Sequence, residues 1–120
     1  MKLIVEEEES HALASALPRG QAKATSVVGE IETRRACARV TPPPPADRLE
    51  AVLLPVTTIG LDGEIAQRAT SIEPSALRTL DAIHVASALA LGGALEALIT
   101  YDVRLAEAAE AAGLRVLVPR

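Results

Sequence analysis

Asp81 lies in a stretch whose apolar residues recur with helical spacing. At about 100° per residue, Leu77, Leu80, His84, Ala88 and Leu91 share one helix face, and Asp81 falls among them. Burying an unpaired charge is costly, so a carboxylate on that side must be protonated, hydrogen-bonded, ion-paired or metal-bound. On spacing alone, an aspartate tied to a neighbouring arginine or to backbone amides fits as well as a ligand does. Asp102 follows the short apolar run 97–100 and opens the next helical segment. It therefore falls at the carboxyl end of an expected parallel strand, the edge at which open α/β sheets bind ligands. Asp is also a favoured helix N-cap, and for this residue alone the cap is the stronger reading. Glu32 lies one turn into a helix that follows Ser26, and its plainer role is a surface pair with Arg35. Glu30 competes with it but reads as solvated, on the face opposite Val28.

Taken together, the three acids have a chemistry that none has alone. Two carboxylates about 4 Å apart repel by roughly 4 kcal/mol at an effective dielectric near 20, so a converging cluster needs a cation or bound protons. Hard oxygen donors without His or Cys suit Mg²⁺, with Mn²⁺ as the alternative. Such ions activate water and stabilise the oxygen departing from a phosphodiester. Other candidates carry less. His84 reads as a core histidine, and His11 falls in a charged turn. Two distant histidines and the single Cys37 make no zinc-ligand spacing. The acidic run 6–9 reads as a solvated helix face. No glycine-rich phosphate loop or nucleophile elbow is present in the sequence.

The elements that must position these acids read as an α/β domain. Apolar residues make up 49% of the 120-residue chain, yet Tyr101 is its one aromatic, so the core is expected from Ala, Leu, Val and Ile, which favours closely packed helices. The length fits one domain, 1–120. Helical patterns span 2–17, 30–40, 46–53, 62–69, 76–91 with Ser75 as its cap, and 103–112. Short strands are expected at 23–28, 53–58, 97–100 and 115–118. In the second helix, Val27, Ile31 and Ala38 mark the expected apolar side. Prolines 42–45 form a stiff connector, and Gly113 stops the last helix. Strands alternating with helices imply a parallel sheet with helices on both faces. The lone cysteine fits a reducing cytosol, and no run is long and apolar enough for a membrane span. The net charge of -4 argues against a general nucleic-acid binder but leaves room for an acidic site whose cations meet phosphate.

Two segments resemble a known family. Residues 77–86, LRTLDAIHVA, resemble the LR-LDAIH-A signature of PIN-domain toxins of the VapC type, and residues 100–106, TYDVRLA, resemble their TYD-RLA motif. The ending 113–119 is similar to their GL-V--P close. In residues 26–32, SVVGEIE, a Ser stands six positions ahead of a Glu as in the family, which selects Glu32 over Glu30.

The resemblance implies a Rossmann-like three-layer fold and a Mg²⁺-dependent endoribonuclease. It also implies an RNA substrate, a VapB-like cognate antitoxin, a homodimer, and a cytoplasmic setting without membrane contact. It maps Glu32, Asp81 and Asp102 onto three of the family's four metal-site acids, with Thr100, and Ser26 beside it, as pocket-lining candidates. The family opens with a strand that ends in Asp, a hydroxyl residue, a small residue and LVKL, and Lys2 and Leu3 match the tail of that motif. The first Asp is therefore expected ahead of Met1, the opening strand is expected to be missing, and the chain as written is expected to bind metal weakly and cleave little RNA. The other reading is a non-catalytic relative that only engages an antitoxin or dimerises. The last is an unrelated α/β domain whose acids are a cap, a surface pair and a core ion pair.

Overall fold

The computed structural model describes residues 23–54, 56–95, 97–100 and 102–117. The expected helix 2–17 lies outside the described residues. The described residues divide into two compact units, one up to Ile59 and one from Gly60 onward.

In the first unit, strand β1 (Lys23–Ser26) runs parallel to β2 (Val56–Ile59), in register from Lys23 beside Val56 to Ser26 beside Ile59. Helices α1 (Val27–Arg39) and α2 (Ala46–Leu53) lie between them in sequence. α1 starts without a loop because Ser26, in extended backbone, accepts a hydrogen bond from the Gly29 N–H at 2.9 Å and so caps the first turn. The buried stripe of α1 is Gly29, Thr33 and Cys37, one residue per turn. The expected apolar side is thus misplaced, since Ile31 is 51% exposed and Ala38 is also exposed. α1 packs on both β1 and β2, and its small residues let the helix backbone come close to the strands. α2 occupies the expected residues behind the prolines.

The second unit begins with α3 (Gly63–Thr70), capped by Asp62, whose Oδ1 accepts from the Ile65 N–H at 2.8 Å. α3 packs on α4 (Thr79–Ala90). The sequence reading started α4 at Ala76 with Ser75 as cap, and the structure begins it three residues later. The segment between turns on itself, with the Leu77 N–H donating to the Pro74 carbonyl at 2.9 Å, and Arg78 becomes the cap residue in extended backbone. A short 3₁₀ turn (Gly92–Ala94) follows, then β3 (Leu98–Ile99), α5 (Val103–Ala111) and β4 (Val116–Leu117), the strands pairing in parallel. Gly113, at φ +91, lets the chain leave α5 in the left-handed region that a side chain would strain.

The core of this unit is Val85 from α4 against Leu105, Ala108 and Ala109 from α5, surrounded by Ile72, Leu77, Leu89, Leu98, Leu114 and Val116. It is aliphatic and rich in alanine, as the composition requires. The fold is α/β with parallel strands, expressed among the described residues as two separate two-stranded ladders. No described helix is long and apolar enough to cross a membrane.

Candidate functional site

Asp102 is fixed by its place between β3 and α5. Its backbone is extended, so the residue stands just outside the helix while its side chain reaches back to the first turn. Oδ1 accepts from the N–H groups of Arg104 at 2.9 Å and Leu105 at 3.2 Å. The Asp102 N–H in turn donates to Thr100 Oγ1 at 3.0 Å. The helix end therefore holds one carboxylate oxygen while Thr100 holds the backbone N–H of the same residue, and the second oxygen, Oδ2, is left to face elsewhere.

Asp81 occupies the first turn of α4, where the partial positive charge of the helix end favours an anion. Its position shares the buried side with Val85 and Ala88, and the residue is 9% exposed. The apolar face expected from the sequence is correct for Asp81 and Ala88 but not for Leu80, which is 47% exposed.

The structure brings the two aspartates to one cation. Arg78 donates from Nε to Asp81 Oδ2 at 3.3 Å and from Nη2 to Asp102 Oδ2 at 3.4 Å. Acids from two different elements thus turn one oxygen each toward a single guanidinium. Both plainer readings of these residues are realised, since Asp81 pairs with an arginine and Asp102 caps a helix. Neither role uses up the carboxylates, because the Asp102 cap takes Oδ1 alone. Sequence reasoning considered an arginine partner for Asp81 without naming Arg78. The available signal was a cation three residues ahead of a buried aspartate, at the spacing at which helical side chains meet.

Glu32 and Ser26 belong to the first unit. Glu32 lies on the exposed side of α1, and Ser26, 5% exposed, is the cap of that helix. Cys37 is buried at 2% exposure, and burial pushes its thiol up, so it is the inert core residue that the sequence suggested. His84 is half-buried on α4.

Among the described residues, no three His, Cys, Asp or Glu side chains stand close enough together to enclose a metal ion. The Asp81 and Asp102 pair is nevertheless the right kind of donor set for a hard cation. It offers carboxylate oxygens only, and two of them already face a positive charge.

The PIN domain family matches residues 1–111. Ribonuclease VapC35 of Mycobacterium tuberculosis is 43% identical over 124 aligned positions, covering 99% of this chain and 90% of that protein. Ribonucleases VapC47 and VapC46 of the same species are each 35% identical, covering 87% and 99% of this chain and 79% and 91% of their own lengths. No solved structure matches significantly. With the family pattern over most of its length and three such relatives, the chain belongs to the PIN domain family.

Proposed function

We propose that this protein is a ribonuclease toxin of the VapC type, a Mg²⁺-dependent endoribonuclease that hydrolyses RNA phosphodiesters and is restrained by a VapB-like antitoxin. The observation that carries the reading is the meeting of Asp81 and Asp102 on one cationic group at the carboxyl end of β3. The likeness to three proteins named as VapC ribonucleases supplies the substrate class. Asp81 and Asp102 hold the metal in this reading and Thr100 lines the pocket beside Asp102; the resemblance to the family would assign Glu32 to the metal and Ser26 to the pocket as well, with residues 1–120 as one domain. The protein works in the cytoplasm as a homodimer.

A divalent cation, Mg²⁺ or Mn²⁺, supplies Lewis acidity toward a water nucleophile and neutralises charge on the phosphate when bound. The chain's own contribution is placement. The α5 cap fixes the plane of the Asp102 carboxylate, and Thr100 Oγ1 holds the backbone that carries it. At the start of α4, the positive end of the helix and the Arg78 guanidinium both lie beside the Asp81 carboxylate.

The test is RNA cleavage in Mg²⁺ by the unaltered protein and by Asp81→Asn, alongside a Mn²⁺ titration that reads the site without turnover. Loss of cleavage and weaker Mn²⁺ binding in the variant are expected. Equal behaviour of the two proteins in both measurements removes the nuclease reading.

A further inference from the structure

We infer that Arg78 is the resident counter-ion of the Asp81 and Asp102 pair: it balances their charge in the metal-free protein, and a metal ion must displace it. The inference rests on the reading of these two acids as metal ligands.

The guanidinium makes one contact to each acid, through different nitrogens of its planar fork. Both contacts reach the oxygen that is not held by a helix cap, where a cap exists. An arginine that serves as a structural clamp is normally bidentate on one carboxylate, with short, charge-assisted bonds of about 2.7–2.9 Å. Arg78 differs on each count. It divides itself between two acids, its contacts are 3.3 and 3.4 Å, and its side chain is 69% exposed. Such a group neutralises charge without being fixed, and its path away into water is open.

Asp102, by contrast, is held independently of it. Asp102 keeps two backbone N–H groups on Oδ1, and Asp81 stands in the first turn of α4 on its buried side. When Arg78 swings out, the Asp102 carboxylate keeps its cap. Arg78 stands at the cap position in extended conformation, its carbonyl accepting from the Ala82 N–H at 2.9 Å, and its side chain has no cap bond to break. The metal-free pair is therefore kept assembled by a weakly held positive charge, and an entering divalent cation competes with that charge for the same two oxygens. Arg78 is a positioning residue of the metal-free state, and it sets the threshold of metal concentration at which the site loads.

The experiment is a Mn²⁺ titration, followed by electron paramagnetic resonance, of the unaltered protein and of Arg78→Gln, Arg78→Lys, Asp81→Asn and Asp102→Asn. Removing a competing unit charge should tighten Mn²⁺ binding in Arg78→Gln by about three- to tenfold at low ionic strength, with the gain shrinking as KCl is raised. Arg78→Lys keeps the charge and should stay within about twofold of the unaltered protein. A glutamine variant that binds Mn²⁺ no more tightly, whatever the absolute affinity, overturns the inference. The aspartate variants separate this failure from that of the metal reading. If they weaken binding at least about tenfold while Arg78→Gln gains nothing, only the counter-ion role falls. If they leave binding unchanged, the metal reading falls and the counter-ion role with it. Thermal unfolding of each variant reports whether the fold is kept, as the exposure of Arg78 leads one to expect.

Discussion

Among the described residues, each unit contains an arginine that joins two acids, and the two joints are built differently. In the first unit Arg34 meets Glu50 at 2.6 Å and Glu30 at 3.5 Å. In the second, Arg78 meets Asp81 at 3.3 Å and Asp102 at 3.4 Å. By its shortest contact the Arg34 cluster is the tighter. Yet its acids are long glutamates on helix surfaces, with 28% and 60% of their side chains exposed. The Asp81 and Asp102 side chains are 13% and 36% exposed, and backbone N–H groups hold Asp102 whether or not an arginine is present. The lesson is that the distance of an ion pair says little about its use. What separates a surface decoration from a candidate site is whether the acids keep their places when the cation leaves.

The largest expected break in this comparison is chemical. Asp81→Asn should lower RNA cleavage by more than roughly a hundredfold, since even groups one step removed from a metal cost up to that much. Glu50→Gln in the other cluster should leave cleavage within about twofold, and measuring both rates under one set of conditions decides whether the two joints differ in kind. Next comes the divided duty of Asp102. Asp102→Ala removes a cap and should cost about 1 kcal/mol by denaturant unfolding, whereas Asp102→Asn keeps the cap within a few tenths and still loses the charge that faces Arg78. If asparagine destabilises as much as alanine, the cap account of Asp102 is wrong.

The smallest effects belong to Arg34. Arg34 and Glu50 are largely open to solvent, with 40% and 60% of their side chains exposed, so Arg34→Gln should shift the thermal midpoint by no more than about 2 °C, and the shift should disappear in concentrated salt. Acid sharpens the same point. The hydrogen bond and charge of Arg34 hold the Glu50 carboxyl below its ordinary range. A lowered folded value means that the contribution is complete above the ordinary carboxylate pKa and is lost as pH falls through the lower one. Acid unfolding curves of the unaltered protein and Glu50→Gln should therefore coincide below that window and separate slightly above it. A separation that grows in acid would reverse the assigned sign.

Much of this fold was legible before any coordinates. The helix 46–53 behind the prolines, the Asp102 cap, the Gly113 stop and the parallel strands follow from local chemistry that tertiary contacts do not override. Two things were not legible. The face of α1 was misread because burial there follows smallness, at Gly29, Thr33 and Cys37, while hydropathy pointed to Ile31. The start of α4 was misread because Ser75 has the right side chain for a cap, but the turn closed by Leu77 and Pro74 delays the helix to Thr79. That delay is what sets Arg78 free of the helix. The candidate site was legible as a set of acids, and its arginine was not, because pairing between Arg78 and Asp102 across 24 residues depends on how α4 and β3 pack.

The alanines at the heart of the second unit carry a lesson for its tolerance to change. Ala86 and Ala109 are fully enclosed and Ala108 nearly so, which leaves truncation almost nothing to remove. Damage in such an interior comes from growth. Ala109→Leu asks neighbouring helices to separate and should cost about 1–3 kcal/mol, so that in this protein the harmful interior substitutions are those that add carbon.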